Sequence, residues 1–455
     1  MNNTQNIDHH ETTKTGKAHV EKASDWYEAD PMARKLSQLL PEEIEILDSS
    51  GLLHHKPIIL PKSEYVVSGN NYFDWPIATK VDDTIVVLFD RRHYHGGKPK
   101  DGEPQWDENS GIRMILTSSD GGRSWSDPVD VFEQAGMWET TVFDGWGGGL
   151  GSHNGVVYLA LHEGIYHSHD KGKTWVLITP EPDFSNIPGK VKPAKKDTSS
   201  GANPAKVTTA TFWSPSMRLT FDEAHGLTLW STRDFKPANR NKGEAEERNT
   251  NYGKYLYAIY SEDFGKSWEF EEQAIPEGVT LSEITPLQHD GKLVFFLRNG
   301  ILSTYYAQAY SGSGWFPFEF AVTNVDSMHI MDTPDVIFNP LTQRYEAAVT
   351  NRTYRHSGIP MEMQLWSISP DEWAAGSNTW RFEGVLLRYS RPFGKSDGMN
   401  PVASIIDEEA GVQRIYIWGG TPLQESGIFE YSRSLDTPAV SNYIKSYRPC
   451  LKEDA

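Results

Sequence analysis

Apolar and polar residues alternate in short runs along most of the chain, and the runs come in pairs separated by turn residues. Six such strand–turn–strand units are residues 76–89, 149–161, 217–231, 283–298, 334–350 and 401–420. A period of two is typical of a strand with one buried face, and the intervening Asp-Asp, Asn-Gly, Asp-Gly and Asn-Pro pairs favour tight turns. The pattern therefore predicts six β-hairpins.

A third β-rich run follows each hairpin and ends in serine: IRMILTSS, GIYHS, YLYAIYS, STYYAQAYS, MQLWSIS and GIFEYS. In three units an octapeptide comes next, namely SSDGGRSW (118–125), SHDKGKTW (168–175) and SEDFGKSW (261–268). In the other three units it has decayed to SGSGW, SPDEW…SNTW and SRSLD. Glycine permits a positive φ and aspartate binds turn amides, so we interpret the octapeptides as structural turns before a fourth strand.

Six repeats of about four strands predict an all-β fold, a six-bladed β-propeller over residues 56–455. Residues 1–55 form a separate N-terminal extension, in which ADPMARKLSQLLPEEIEIL predicts a short helix that packs on the propeller or mediates homo-oligomerisation. Either residues 56–61 or residues 441–448 are expected to add the outer strand of the last blade. That strand would close the ring and remove a sheet edge.

Composition excludes several functional classes. The net charge of −19 argues against a nucleic-acid or anionic-membrane partner, and no apolar run is long enough to span a membrane. The single cysteine, Cys450, leaves no intrachain disulfide. Residues 1–25 lack the apolar core of a secretory signal. A cytoplasmic location is therefore expected, or an extracellular one if a leader has been removed.

The three octapeptides and their place in the repeats resemble the Asp-box repeats of the sialidase superfamily, over roughly residues 70–435. Sialidases bind the substrate carboxylate with three arginines and use a Tyr–Glu nucleophile pair with an aspartate acid/base. The segment SEITPLQHDGKLVFFLRNG is similar to the sialidase segment that carries the glutamate and the second arginine. The resemblance thus assigns those roles to Glu283 and Arg298, and the third arginine to Arg352.

The sequence departs from the sialidase pattern at two positions. Asp74-Trp75-Pro76 stands where sialidases begin the first blade with Arg-Ile-Pro. Met399 and Asn400 stand where the nucleophilic tyrosine is expected. For the aspartate acid/base, the resemblance offers Asp90, Asp101 and Asp107 without choosing among them. A standard retaining sialidase would therefore lack its first arginine and its nucleophile.

Propeller geometry gathers residues that precede the first strand and follow the second strand of each blade on one face. The catalytic candidates there are Glu283, Asp74, Asp90, His93 and His95. The candidate substrate-binding residues are Arg91, Arg92, Arg298, Arg352, Trp75, Trp146, Trp213, Asp332 and Asn400. Two carboxylates in different environments can divide acid and base roles, and tryptophan faces stack on sugars. The first hypothesis is a glycoside hydrolase for an anionic glycan, with Glu283 and Asp74 as acid and base.

Two other functions stay open. The segment FDRRHYHGG (89–97) alternates histidine and tyrosine beside arginines, which suits a polysaccharide lyase or a uronate-directed rhamnosidase. A non-catalytic glycan-binding propeller is the third hypothesis. Two structural interpretations also stay open: Asp90 in an ion pair with neighbouring arginines, and Trp75 in the core. No cofactor is expected and no metal ligands are assigned, although a structural or channel cation such as calcium is compatible with the acidic face.

Overall fold

The computed structural model describes residues 54–59, 72–92, 112–131, 148–161, 164–179, 217–223, 225–231, 255–274, 281–299, 303–310, 319–322, 331–351, 361–389, 404–420 and 426–436. These residues are nearly all in β-strands. The predicted N-terminal helix and residues 441–448 lie outside the described ranges, so both stay predictions. Among the described residues there is no helix that could span a membrane.

In chain order, the earlier strands among the described residues are β1 His54–Ile59, β2 Tyr72–Val81, β3 Thr84–Arg92, β4 Ile112–Ser118, β5 Val129–Asp130, β6 Gly149–His153, β7 Val156–Leu161, β8 Gly164–Ser168, β9 Val176–Thr179, β10 Thr220–Asp222, β11 Gly226–Ser231 and β12 Tyr255–Ser261. The later elements are β13 Glu269–Ala274, β14 Leu281–His289, β15 Lys292–Asn299, β16 Ser303–Tyr310, β17 Glu319–Val322, β18 Met331–Asn339, β19 Arg344–Asn351, β20 Met361–Ile368, helix α1 Pro370–Ala374, β21 Arg381–Tyr389, β22 Ile405–Asp407, β23 Val412–Gly420 and β24 Ser426–Ser434.

All six predicted hairpins are present as antiparallel pairs. They are β2–β3, β6–β7, β10–β11, β14–β15, β18–β19 and β22–β23. Strand β1 pairs antiparallel with β24. Residues 56–59 therefore belong to the predicted outer strand, which joins an early segment of the chain to the last repeat.

The sheet count differs from the prediction of six blades. The described strands form five sheets, four of them four-stranded and one eight-stranded. The eight-stranded sheet contains both the first and the last predicted repeat, because β2 pairs in parallel with β24 at Tyr72 and Ser426. The arrangement is a β-propeller, with the first and last repeats continuous in one sheet.

The first strands of the six repeats contact one another in sequence; we call β2, β6, β10, β14, β18 and β22 the first-strand ring. Between β2 and β6, the Ser152 hydroxyl donates to the Lys80 carbonyl at 2.6 Å. Between β6 and the segment leading into β10, the Leu150 amide donates to the Met217 carbonyl at 3.2 Å. The Met217 amide in turn donates to the Ile284 carbonyl of β14 at 3.1 Å.

Three further contacts complete the first-strand ring. The Thr285 hydroxyl of β14 donates to the Pro334 carbonyl of β18 at 2.7 Å. The Ser404 amide, which precedes β22, donates to Asp335 of β18 at 2.9 Å. Lys80 of β2 forms an ion pair with Asp407 of β22 at 3.3 Å. Because every neighbour is linked directly, the first strands surround a common axis.

The three intact Asp-boxes form the same closed turn. In the third, one oxygen of Asp263 accepts from the Lys266 and Ser267 amides at 3.0 and 2.8 Å, and its other oxygen accepts from the Ser267 hydroxyl. The Ser261 hydroxyl donates to Asp263 and accepts from the Gly265 amide at 2.6 Å. Asp120 and Asp170 have equivalent partners. The structural interpretation of the octapeptides is thus supported for all three.

Each Asp-box glycine also contacts the preceding repeat. Gly122 faces Glu430, Gly172 faces Val86 and Thr117, and Gly265 faces Ile178. All three have positive φ. A side chain would be strained at all three positions. An added Cβ would lie 2.7 Å from the Glu430 carboxylate at Gly122, 3.1 Å from Val86 at Gly172 and 2.6 Å from Ile178 at Gly265.

The decayed box SPDEW…SNTW has a different local structure from the three intact boxes. It forms the short helix α1, which Ser369 caps by accepting from the Glu372 amide, while Glu372 accepts from the Ser369 amide. Trp373 and Trp380 are both buried against the same hydrophobic cluster. The aromatic packing of the box therefore persists without its turn.

Replacing Gly265 with alanine tests the contact between repeats. The new Cβ would lie 2.6 Å from Cγ2 of Ile178 at a φ of +110°, whereas the Cβ in Gly155→Ala at a φ of +77° would meet no atom within 4 Å. We expect Gly265→Ala to lower the free energy of unfolding by about 1–3 kcal/mol more than Gly155→Ala. Urea unfolding measures both, and equal losses would contradict the contact.

Acid should weaken the third Asp-box. Burial alone would raise the pKa of Asp263, but hydrogen bonds from Ser267 and Ser261 lower it from 3.8 to about 2. The stabilisation is therefore complete above about pH 4 and is lost as the pH falls towards 2. Unfolding of wild type and Asp263→Asn between pH 5 and 2 should show a steeper loss in wild type, and parallel curves would refute this.

Candidate functional site

Three candidate carboxylate residues lie at the beginnings of strands in the first-strand ring. Asp74 is in β2, Glu283 in β14 and Asp332 in β18. At each, the pairing with the next strand shifts register: between Asp74 and Ile77, between Ser282 and Ile284, and between Asp332 and Asp335. Each shift is a β-bulge, a feature that often lies next to active sites and changes the direction of a side chain.

The two bulges of β14 and β18 are neighbours. Thr285, two residues after Glu283, contacts Pro334, which lies within the bulge that begins at Asp332. The backbone of Arg298 pairs with that of Ser282, directly before Glu283. The structure therefore brings the backbone positions of Glu283, Arg298 and Asp332 to one edge of the first-strand ring.

The bulge of β2 contains Trp75, whose φ is +51°. Its side chain is buried, and its ring lies 5.3 Å from that of Trp418 on β23. This placement favours the core interpretation over a sugar-stacking platform. A left-handed conformation is nevertheless an outlier for a bulky residue, so the start of β2 carries backbone strain.

Asp90 occupies the end of β3, opposite Asp74 in the backbone pairing. Its side chain is only 1% exposed and forms an ion pair with the fully buried Arg113 of β4. The structure thus supports an ion pair for Asp90 and shows Arg113 as a partner, while the side chains of the adjacent arginines considered from the sequence lie outside the described residues. A buried paired carboxylate suits a supporting role for β3 and β4 better than proton transfer.

The remaining candidates are placed in part. Arg91 and Arg92 are the last residues of β3, where their backbones pair with Phe73 and Tyr72. Eight candidates lie outside the described residues and stay predictions: His93, His95, Asp101, Asp107, Trp146, Trp213, Arg352 and Asn400.

Sequence reasoning missed Arg218, whose side chain joins more repeats than any other among the described residues. Its guanidinium donates to the Pro286 and Val336 carbonyls at 3.1 and 3.0 Å. It also donates to Asp335 at 2.8 Å and to the Ser404 carbonyl at 3.2 Å. One arginine thus binds β14, β18 and the start of the last repeat together.

Asp335 is the matching anion of this contact. Its side chain is fully buried, and it accepts from Arg218, from the Ser404 amide and from the Ser404 hydroxyl. Ser404 continues the network, because its hydroxyl also accepts from Gln413 at 2.8 Å. We call Arg218, Asp335 and Ser404 the Arg218 cluster. A buried carboxylate with three donors is well compensated for its loss of water.

A second buried network supports the same side of the ring. Arg433 donates to Gln413 at 2.6 Å and forms an ion pair with Glu346. The side-chain amide of Asn339 donates to the Glu346 carboxylate at 3.0 Å and to the Leu435 carbonyl at 2.9 Å. These bonds extend from the Arg218 cluster through the sheets of the last two repeats and hold the two sheets together.

Charged side chains at the junction of the first and last repeats are also paired. Burial would raise the pKa of Asp407, but hydrogen bonds from the Ala410 amide and Arg414 and the charge of Lys80 together lower it. No group of three or more His, Cys, Asp or Glu side chains in the described ranges could hold a metal ion. The channel cation considered from the sequence stays untested.

Solved structures with similar folds include sialidases. The NanB sialidase from Streptococcus pneumoniae is 9% identical with a TM-score of 0.49, over 83% of this chain and 70% of that chain. A Hadza microbial sialidase is 11% identical with a TM-score of 0.46, over 82% and 67%. The α-L-arabinofuranosidase of Podospora anserina is 8% identical with a TM-score of 0.39, over 84% and 96%.

With TM-scores below 0.5, these similarities decide neither the fold nor the activity of this chain. The chain matches no known protein-family profile and no curated protein. The fold rests on the chain's own strand pairing and Asp-box geometry, and the activities of these proteins do not transfer to this chain at such low identity.

Removing the charge of Asp335 should destabilise the protein strongly. In Asp335→Asn, Arg218 would keep its charge without its buried partner, and an amide nitrogen would face the Ser404 amide or Arg218. We expect a loss of about 3 kcal/mol in the free energy of unfolding. Asp127→Asn, at an exposed position, is the control and should change stability by less than about 0.5 kcal/mol. Similar small effects for both would contradict the role of the Arg218 cluster.

Proposed function

We propose that this protein is a glycan-active enzyme, a glycoside hydrolase of sialidase-like architecture. Its reaction centre is the edge of the first-strand ring where Asp74, Glu283 and Asp332 begin their strands. In this proposal the eight-stranded sheet counts as two blades, so that six blades surround the site. The substrate is an anionic glycan, in keeping with Arg298 beside Glu283.

The observation that carries the proposal is the coincidence of three β-bulges with the three candidate carboxylates. A bulge costs ladder hydrogen bonds and is retained where it directs a side chain or ends pairing. The positive φ of Trp75 adds backbone strain to one of the three positions. Strain and bulges at one edge support a functional edge rather than a purely structural one.

Two carboxylates at this edge can perform glycoside hydrolysis. One, as the acid, protonates the leaving oxygen, and the other acts on the opposite face of the sugar as a base for water or as a nucleophile. Glu283 and Asp74 hold these roles in the proposal, and Asp332 binds the substrate. The carboxylate pair can supply the chemistry without the tyrosine that Met399 and Asn400 replace.

A two-signal assay tests the proposal. The protein is incubated with sialylated, uronate-containing and neutral glycans, while new reducing ends and the ultraviolet absorbance of unsaturated uronate are followed together. Hydrolysis produces reducing ends without absorbance. We expect Glu283→Gln to lower kcat/KM by about 100-fold or more, because a proton-transfer group is lost.

The matched control is Asp290→Asn, on the exposed turn at the other end of the same hairpin. Its φ of +51° is accepted by asparagine as readily as by aspartate, so activity should stay unchanged. Full turnover in Glu283→Gln would refute the assignment. Reducing ends together with absorbance would instead indicate a lyase, and the absence of both signals a glycan-binding propeller.

A further inference from the structure

The backbone directly after Glu283 is bound on both sides. The Ile284 carbonyl accepts from the Met217 amide at 3.1 Å, and the Pro286 carbonyl accepts from Arg218 at 3.1 Å. Both of these donors belong to the third repeat. Thr285, between them, donates its hydroxyl in the opposite direction, to Pro334 of the fifth repeat.

The Thr285–Pro334 bond joins two bulges. Thr285 comes two residues after Glu283, and Pro334 comes two residues after Asp332. The Thr285 side chain is fully buried, and the bond length is 2.7 Å, the usual value for a hydroxyl donor. Among the described residues, this is the side-chain bond closest to both candidate carboxylate positions.

Pro334 can take part in this contact only as a hydrogen-bond acceptor. Proline has no amide hydrogen, so the bulge of β18 cannot donate to β14 from this residue. Its carbonyl can only accept, and the Thr285 hydroxyl meets that requirement in the buried space between the two strands. The same two strands are also joined by Arg218, which binds Pro286 and Val336 one step further from the bulges.

We propose that Thr285 is a positioning residue that sets the separation between the backbone segments of Glu283 and Asp332. This inference rests on the proposed function of those carboxylates. Without the hydroxyl, Arg218 and the stacking of His289 on Phe338 would still join the two strands further along, but the bond next to the bulged strand starts would be lost. The segments could then move relative to each other, and misplacement of a catalytic group by about 1 Å can cost up to about 100-fold in rate.

The experiment compares Thr285→Val, Thr285→Ser and Thr228→Val with wild type. Valine has the shape of threonine without the hydroxyl, and serine retains the hydroxyl. Thr228 is the matched control: it is fully buried on β11, and its hydroxyl forms no hydrogen bond within the described part of the chain. Turnover of the best glycan in the two-signal assay is measured together with amide hydrogen exchange over residues 281–299 and 331–351.

We expect Thr285→Val to lower kcat by about 10- to 100-fold with KM changed less than about threefold. It should also speed exchange in both segments, 331–351 as well as 281–299. Thr285→Ser should restore kcat to within a few-fold of wild type, and Thr228→Val should change neither kcat nor exchange.

Three results would overturn the inference in distinguishable ways. Unchanged exchange in residues 331–351 of Thr285→Val would show that the bond does not hold β18, whatever the activity. Faster exchange with unchanged kcat would reduce Thr285 to a structural residue. No turnover by wild type would refute the proposed function, and the positioning role with it, even if exchange showed that the bond holds both strands.

Discussion

The ion pair between Arg218 and Asp335 holds the third repeat against the three repeats that follow it. The propeller has to join first strands that arrive from widely separated parts of the sequence, and backbone pairing alone does not join them all. Arg218 supplies donors to three repeats at once, and Asp335 supplies the buried charge that makes an arginine acceptable there. Further out, Gly172 and Gly265 of the second and third Asp-boxes allow one sheet to approach the next.

This rigid centre explains how the edge of the ring can carry irregular backbone. The bulges at Asp74, Glu283 and Asp332 forgo ladder hydrogen bonds, and Trp75 adopts a left-handed conformation. Such features persist where the surrounding structure determines them strongly. Here the residues that follow each bulge return at once to buried, regular strands, and those of β14 are bound to both neighbouring repeats.

Much of the fold could be predicted from the sequence, because strand alternation and turn residues are local signals. They located all six hairpins and the Asp-box turns. The parallel pair of Tyr72 and Ser426 could not be predicted, since it joins distant segments through backbone atoms alone. For the site, Pro76 and Pro334 were available as signs of irregular inner strands. Arg218 carried no comparable signal, because its partners come from three other repeats, and the burial of Asp90 depends on Arg113 in the next strand.

In the function proposed here, the bulged starts of β2, β14 and β18 form one glycan-binding centre. The most direct measurement is a crystal structure of the Glu283→Gln protein soaked with the glycan that wild type cleaves best. We expect a sugar at the edge of the first-strand ring, with its scissile oxygen within hydrogen-bonding distance of residue 283. A carboxylate of Asp74 or Asp332 should lie beside the same sugar. A glycan bound on the opposite face, among the Asp-box turns, would contradict the proposal.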